Sequence, residues 1–220
     1  MQTNTLLCPS MMCCDFNHFV EEIDNLNKAG VDIFHCDIMD GNYVNNMALS
    51  PYDVKFIRDH TDKPIDVHLM ASNPELLCDI FIKAGADIVY FHPETAKFPI
   101  QLITKIKTAH KQAGIVINPH EPISMFTELF SLIDYVLIMS VNPGFSGQKY
   151  LRCIEHKIDE LIKLKSEYKY KLILDGACSY EVIKEHQDKG VDGFILGTSV
   201  LFNQADSYKN VINRLRNKKE

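Results

Sequence analysis

Polar side chains able to do chemistry stand at the ends of short apolar runs in this 220-residue chain. His35 and Asp37 close one run, and His68 closes the next. Asp175 ends a later one. Residues i and i+2 of a strand point to the same face, so His35 and Asp37 are predicted to share a direction. Two imidazoles and two carboxylates converging in an enclosed site are typical of a divalent-metal site, and they suit Zn²⁺, Fe²⁺, Mn²⁺ or Co²⁺ equally.

A metal-free network of hydrogen-bonded histidines and aspartates is the alternative interpretation of these four residues. It is less favoured, because two buried carboxylates without a cation would repel each other and one would have to protonate. Further polar residues stand at equivalent ends of apolar runs. They are Ser10, His92, Asn118, Ser140, Asn142 and Thr198.

Three glycine-rich segments, 142–148, 175–179 and 197–199, indicate a second kind of chemistry. Glycine lets backbone N–H groups come close to an anion, and a helix N-terminus adds partial positive charge. We therefore expect these segments to bind a phosphate group. The expected contacts are Gly144, Phe145, Ser146, Gly147, Gly176, Ala177, Gly197, Thr198 and Ser199.

Three methionines, Met39, Met70 and Met139, also end apolar runs. Methionine at such positions commonly fills a core, because its flexible thioether adapts to irregular gaps. Beside a metal and a sugar, the same side chains would enclose the substrate and keep water from a reactive intermediate. The sequence leaves both interpretations open.

Eight short apolar runs alternate with longer amphipathic segments, and this alternation must position the polar residues. The predicted strands are 6–12, 33–39, 65–70, 88–92, 115–118, 135–141, 171–175 and 194–197. The predicted helices are 15–29, 51–60, 74–84, 99–113, 123–132, 151–168, 180–189 and 204–216. Eight such units favour a single-domain (β/α)₈ TIM barrel over residues 1–220, and a doubly wound open sheet is the alternative. Catalytic residues of such barrels lie at the carboxyl ends of the strands.

A faint repeat supports the alternation of strands and helices. Segments 28–32, 83–87 and 189–192 read Lys-Ala-Gly-Val-Asp, Lys-Ala-Gly-Ala-Asp and Lys-Gly-Val-Asp. Each is predicted to end a helix with glycine in the left-handed conformation and to begin a strand after the aspartate.

Composition excludes several classes of protein. The chain is 46% hydrophobic, with a net charge of -6, which indicates a folded domain and argues against a nucleic-acid partner. The one basic tract, 214–219, is predicted to be a solvated helix tail. No apolar run approaches the ~20 residues of a membrane span, and no secretory signal is visible. Seven scattered cysteines fit a reducing cytoplasm better than a disulfide scaffold.

Four longer strings run in order along most of the chain. They are Cys8-Pro9-Ser10, His35-x-Asp37-x-Met39-Asp40-Gly41, Asp66-Val67-His68-Leu69-Met70 and Met139-Ser140-Val141-Asn142-Pro143-Gly144-Phe145. Together they resemble the ribulose-phosphate 3-epimerase family. The resemblance implies inversion at carbon 3 of a small ketose-phosphate substrate, one divalent metal ion and a homo-oligomer.

The resemblance also implies roles for individual residues. The metal ligands would be His35, Asp37, His68 and Asp175. Asp37 and Asp175 would alternate as base and acid on opposite faces of carbon 3, since one base cannot serve both faces. The metal would stabilise an enediolate. Ser10 and His68 would contact the sugar, and the glycine-rich segments would hold the phosphate.

Shorter strings resemble the sister enzyme, D-allulose-6-phosphate 3-epimerase. They are Leu49-Ser50-Pro51, His92-Pro93-Glu94-Thr95, Asp175-Gly176-Ala177-Cys178, Gly197-Thr198-Ser199 and Leu201-Phe202-Asn203. They favour interconversion of D-allulose 6-phosphate and D-fructose 6-phosphate, and the alternative is D-ribulose 5-phosphate to D-xylulose 5-phosphate. One segment departs from the family pattern. Residues 42–46 read Asn-Tyr-Val-Asn-Asn where the family commonly has His-Phe-Val-Pro-Asn, in a loop expected to lie over the substrate.

Three other functions are less favoured. A metal-dependent hydrolase on this barrel typically has a His-x-His pair on strand one, where this chain has Pro9-Ser10. A non-catalytic barrel that binds a sugar phosphate would not need the aspartate pair, which is intact. A metal-free barrel with a catalytic lysine is disfavoured because no predicted strand carries lysine at its carboxyl end.

Overall fold

The computed structural model describes residues 5–216 and shows a closed ring of eight parallel strands. The strands are β1 (Leu6–Pro9), β2 (Phe34–Met39), β3 (Ile65–Met70), β4 (Ile88–Phe91), β5 (Gln112–Ile117), β6 (Tyr135–Met139), β7 (Lys171–Asp175) and β8 (Gly193–Leu196). Neighbours along the chain pair from β2 to β8, and β8 pairs with β1. A parallel bridge between Ser10 and His35 closes the ring between β1 and β2. The (β/α)₈ barrel is therefore confirmed, and the open sheet is wrong.

Helices cover the outside of the ring. In the described part of the chain they are α1 (Phe19–Ala29), α2 (Pro51–Asp59), α3 (Pro74–Ala84), α4 (Pro99–Thr108), a 3₁₀ helix (Ile123–Leu129), α5 (Glu155–Tyr168), α6 (Tyr180–Lys189) and α7 (Tyr208–Arg216). No helix within residues 5–216 is long and apolar enough to cross a membrane. Residues 217–219 of the predicted basic tail lie outside the described residues, as do the ends of the predicted 1–220 domain.

Helices α1, α5 and α7 each begin four residues later than predicted, and two further helix predictions differ for local reasons. Within the predicted helix 123–132, the structure has a 3₁₀ helix over Ile123–Leu129, and its buried residues Ile123, Phe126 and Leu129 recur every three positions. That spacing matches the three residues per turn of a 3₁₀ helix better than the 3.6 of an α-helix. The helix predicted at 99–113 ends at Thr108, because His110 takes a left-handed φ of 57° and strand β5 begins two residues later.

The repeated Gly-x-Asp segments behave as predicted and also join neighbouring units. Gly30 ends α1 with a φ of 82°, and the same left-handed ending closes α3 and α6. The Asp32 carboxylate then accepts the Leu7 backbone N–H at 2.8 Å. Asp87 and Asp192 make the same contact with Ile65 and Leu172. The repeat therefore anchors the amino ends of strands, which leaves the opposite ends free for a site.

Alternation along the strands separates the core from the site. On β2, Phe34, Cys36 and Ile38 belong to the apolar layer between barrel and helices. The intervening residues of β2, beginning with His35 and Asp37, point into the barrel. Parallel register places His35 beside Asp66 and Asp37 beside His68 on β3. The fold thus gathers the polar side chains of two adjacent strands inside the ring.

Candidate active site

Four side chains from three strands converge inside the carboxyl end of the barrel. His35 and Asp37 come from β2, His68 from β3 and Asp175 from β7, and one ligand atom of each lies within 4.8 Å of all the others. His68 Nδ1 lies 3.6 Å from both Asp37 Oδ1 and Asp175 Oδ2. His35 Nε2 lies 3.3 Å from Asp37 Oδ1. The four predicted ligands are therefore brought together by the structure, and all four are buried.

The donor set fits a divalent cation on two independent grounds. His68 Nδ1 is fully buried and has no hydrogen-bond partner among the described residues, although it faces the two aspartates. A buried imidazole nitrogen without a partner is costly unless something else occupies its lone pair. Burial disfavours charge on His68, yet the neighbouring Asp175 and Asp37 outweigh burial and raise its pKa. The two carboxylates therefore favour a positive charge beside the unpartnered Nδ1 of His68, which a bound cation would supply.

The pKa of Asp37 shifts in the opposite direction to that of His68. Burial alone would raise the pKa of the Asp37 carboxyl, but His35 and His68 outweigh burial and lower it. Ser10 Oγ, from the end of β1, donates to Asp37 Oδ2 at 2.6 Å. Asp37 is thereby held as a carboxylate, with one oxygen towards the hydroxyl and the other towards the two histidines.

His35 is oriented by a carboxylate within the barrel. Asp66, its neighbour on β3, places Oδ1 2.5 Å from His35 Nδ1. This contact leaves Nε2 of the ring turned towards the cluster. Burial raises the pKa of Asp66, although His35 partly offsets the effect. Burial opposes charge on His35, but Asp66 and Asp37 outweigh it and raise the pKa of the imidazole.

His68 is oriented by a second imidazole. His68 Nε2 lies 2.9 Å from His92 Nε2, and the two rings stack with centroids 5.1 Å apart. Burial lowers the pKa of His92 to about 4, against the opposing effect of Glu94, so the ring is neutral near pH 7. On its far side, His92 Nδ1 lies 2.9 Å from the hydroxyl of Tyr43, which belongs to the loop after β2.

A pocket opens above the four predicted ligands, with an empty volume of about 580 Å³ that includes the solvent at its mouth. It is lined by every predicted substrate contact except His68: Ser10, Gly144, Phe145, Ser146, Gly147, Gly176, Ala177, Gly197, Thr198 and Ser199. Met39, Met70 and Met139 also line it, and all three are buried. The methionines are therefore both packed side chains and walls of the pocket.

The predicted phosphate segments lie together at one side of this pocket. Gly176 has a φ of 107°, and a Cβ there would lie 2.6 Å from Val141 Cγ2. Ala177 follows with a φ of 48°, a conformation that costs alanine more than glycine. Ser140 Oγ donates to the Asp175 carbonyl at 2.9 Å and also contacts the Gly176 carbonyl. These contacts fix the backbone beside Asp175.

The loop at 42–46 packs against residues that line the pocket. Asn46 Nδ2 donates to the Gly144 carbonyl at 2.7 Å. Val44 is buried against Met39 and Met70, and a Cβ on Gly144 would lie 3.1 Å from the Val44 Cβ. The loop that departs from the family pattern therefore touches both the methionines and a predicted phosphate segment.

Sequence reasoning missed several residues of this site. Asp66 stands two residues before His68, so the alternation of a strand could have placed it on the same inward face of β3. His92 stands at the end of a predicted strand, but the sequence gives it no role there. The loop at 42–46 is expected near the substrate, but nothing local pairs Tyr43 with His92, because their contact spans 49 residues of chain. Met12 and Cys13 line the pocket and were assigned no part in it.

Comparison with known families identifies the chain. A family model described as the ribulose-phosphate 3 epimerase family matches residues 6–201. The chain belongs to this family. It is therefore an isomerase, a 3-epimerase that acts on a carbohydrate phosphate.

Curated relatives resemble the chain over almost its whole length. The ribulose-phosphate 3-epimerase of Bacillus subtilis (strain 168) is 36% identical, covering 97% of this chain and 99% of the relative. That of Escherichia coli (strain K12) is also 36% identical, covering 96% and 94%. These relatives fit the alternative pentulose ester better than D-allulose 6-phosphate, so the favoured substrate prediction is not supported.

Solved structures with lower identity share the fold. A 3-hexulose-6-phosphate synthase aligns with a TM-score of 0.65 at 16% identity, covering 96% of this chain and 98% of that one. Phosphoribosyl anthranilate isomerase from Thermus thermophilus aligns with a TM-score of 0.65 at 14% identity, with the same coverage of both chains. At such identities the likeness supports the barrel alone. Homo-oligomerisation and a cytoplasmic location stay predictions.

Proposed function

We propose that the chain interconverts D-ribulose 5-phosphate and D-xylulose 5-phosphate by moving a proton at carbon 3. The observation that carries the proposal is the convergence of two carboxylates and two imidazoles at the base of a pocket with glycine-rich walls. The names of the relatives support the pentulose ester over the hexulose ester. The carbon 3 proton is α to a carbonyl and needs both a positioned base and stabilisation of the charge it leaves behind.

The side chains of His35, Asp37, His68 and Asp175 would hold one divalent ion, whose identity the donor set leaves among Zn²⁺, Fe²⁺, Mn²⁺ and Co²⁺. When bound, such an ion acts as a Lewis acid that stabilises negative charge developing on the substrate oxygens. The unpartnered His68 Nδ1 supports this assignment.

Asp37 and Asp175 supply the proton transfers. Inversion requires removal of a proton from one face of carbon 3 and delivery of a proton to the other. The two carboxylates come from β2 and β7, which β1 and β8 separate around the ring, so they can approach carbon 3 from different directions. Ser10 holds one oxygen of Asp37 and keeps lone pairs for a sugar hydroxyl. Met39, Met70 and Met139 limit the access of water to the reacting carbon.

The phosphate group binds at the backbone of residues 144–147, 176–177 and 197–199. These segments line the pocket, whereas His35 and His68 do not. A phosphate held there fixes which carbon of the sugar faces the two aspartates. Such positioning lowers the barrier because the translational and rotational entropy of bringing the reacting groups together is lost on binding, before the reaction. In well-oriented reactions this contribution reaches ~7–11 kcal/mol at the limit.

The test is epimerisation of D-ribulose 5-phosphate and of D-allulose 6-phosphate by the same preparation, with and without prior chelation. We expect the higher kcat/KM with the pentulose ester, and loss of turnover after chelation that added metal restores. A higher kcat/KM with the hexulose ester would overturn the substrate and keep the mechanism. Undiminished activity after complete metal removal would overturn the assignment of the four ligands. Binding of both esters without turnover would indicate a non-catalytic barrel.

A further inference from the structure

Tyr43 belongs to the loop at 42–46 and contacts His92, which in turn contacts the proposed metal ligand His68. Its hydroxyl lies 2.9 Å from His92 Nδ1, donates to Glu94 Oε1 at 2.6 Å, and accepts from Asn118 Nδ2 at 2.8 Å. His92 and Asn118 are buried, and Glu94 is partly covered. One phenolic oxygen, from the loop after β2, thus contacts two groups that follow β4 and one that follows β5.

The direction of these hydrogen bonds follows from the assignment of His68. A neutral imidazole that ligates through Nδ1 carries its proton on Nε2, so His68 donates to His92 Nε2. His92 then carries its own proton on Nδ1 and donates to the Tyr43 oxygen. The Tyr43 hydroxyl donates onwards to Glu94. The Asn118 amide nitrogen also lies 3.2 Å from His92 Nδ1, but it donates to the Tyr43 oxygen and to Glu94 Oε1. The hydrogen-bond chain therefore ends on the Glu94 carboxylate.

We propose that Tyr43 is a positioning residue for the metal ligand His68, acting through His92, and that it couples the loop at 42–46 to the metal site. The inference rests on the proposed metal site. The second partner of a metal-bound histidine sets its tautomer and ring orientation, and loss of such a partner typically lowers metal affinity or activity 10–100-fold. For His68 that partner is His92, and Tyr43 in the loop at 42–46 contacts the far side of His92.

Ring packing alone does not account for the contacts of Tyr43. The Tyr43 and His92 rings are 4.6 Å apart between centroids, and phenylalanine would preserve that contact. Phenylalanine is also the residue that the family commonly has at this place. The hydroxyl adds three polar contacts that packing does not need. Without it, Nδ1 of the buried His92 loses its nearest acceptor.

Tyr43→Phe tests the proposal, because it removes the hydroxyl and keeps the ring. Zn²⁺ affinity is measured on metal-free protein by competition with a chromophoric chelator, without substrate. We expect the dissociation constant for Zn²⁺ to rise about tenfold, at the lower end of the range for such contacts, and kcat to fall even at saturating Zn²⁺.

Tyr208→Phe is the matched control. Tyr208 is also half-buried and donates to a carboxylate, Glu22 Oε2, at 2.5 Å. It is the first residue of α7 and contacts α1, and it does not line the pocket. We expect Zn²⁺ affinity and activity like those of the unmodified protein. A loss of affinity equal to that of Tyr43→Phe would show that the effect is general and would overturn the proposal.

Asn46→Ala tests the anchoring of the loop without changing the hydrogen-bond chain from His68 to Glu94. It removes the contact with the Gly144 carbonyl and leaves the Tyr43 hydroxyl in place. We expect KM to rise with Zn²⁺ affinity unchanged. If Tyr43→Phe gave this same pattern, the hydroxyl would serve only to hold the loop and the proposal would be wrong. If the unmodified protein failed to bind Zn²⁺ or to epimerise, the proposed function would fail first.

Discussion

The base of the pocket and its glycine-rich wall solve two different problems. At the base, side chains from β2, β3 and β7 converge, and three of the four contact a further polar side chain, namely Asp66, Ser10 or His92. At the wall, the backbone itself faces the pocket, and glycine is used where a side chain would obstruct it. The chemistry of the base therefore depends on particular polar side chains, whereas the shape of the wall depends on glycines that have no side chain.

This difference predicts how substitutions divide. Changes at the base should alter metal affinity and kcat, because those side chains are proposed to hold the ion and to move the carbon 3 proton. Changes at the wall should alter KM, because the backbone there is proposed to bind the phosphate, or folding stability where they strain that backbone. Four substitutions test the division, beginning with the largest expected effect.

Asp175→Asn removes one of the two proposed proton carriers and one anionic ligand. We expect kcat to fall by at least about 10³-fold, within the range of general acid–base catalysis. The remaining carboxylate, Asp37, can still exchange the carbon 3 proton of one epimer with solvent deuterium. The measurement is turnover together with deuterium incorporation, and Asp59→Asn, an exposed aspartate paired with Lys55, is the control. Equal exchange from both epimers would contradict the two-base mechanism.

Asp66→Asn changes the partner of His35 without changing its shape. We expect Zn²⁺ affinity to fall by about 10–100-fold, because the amide no longer supports the imidazole with a negative charge. The fall should exceed that of Tyr43→Phe, since Asp66 contacts a proposed ligand directly at 2.5 Å whereas Tyr43 acts through His92. Competition with a chelator measures both variants. A smaller effect than that of Tyr43→Phe would reverse the ranking of the two partners.

Gly197→Ala tests whether the wall is kept free for a ligand. A Cβ at this position meets only Cys13 Sγ, at 3.7 Å, and the backbone does not lie in the left-handed region. The protein itself therefore has no need of glycine here. We expect KM to rise about tenfold, equivalent to ~1.4 kcal/mol of binding free energy, with the melting temperature unchanged. An unchanged KM would remove residue 197 from the phosphate contacts.

Ala177→Gly is expected to have the smallest effect and to act on stability. The left-handed φ of 48° strains alanine, and glycine relieves that strain while gaining freedom in the unfolded chain. We expect the free energy of unfolding to rise by up to about 1 kcal/mol, a shift of ~2–4 °C in melting temperature. Gly176→Ala is the opposing case, because its Cβ would lie 2.6 Å from Val141 Cγ2 and should destabilise the fold. A loss of stability in Ala177→Gly would contradict the assignment of strain.

Local patterns in the sequence predicted most of the fold. Eight apolar runs, amphipathic segments between them and glycines that end helices α1, α3 and α6 are all short-range features. Predictions went wrong where spacing was ambiguous, as at Ile123–Leu129, or where a single left-handed residue, His110, ended a helix early. The substrate suggested by the shorter strings is not supported by the relatives, whose names fit the pentulose ester better.

The sequence by itself determined the elements and the chemistry of the proposed ligands, because periodicity and side-chain type are properties of neighbouring residues. His35, Asp37, His68 and Asp175 could be proposed on that basis before any geometry was known. Only the tertiary structure decided that β1 meets β2, that Asp66 and His92 orient the two histidines, and that Tyr43 reaches His92 across 49 residues. These contacts depend on closure of the ring, which brings distant residues into hydrogen-bond range with no trace in local spacing.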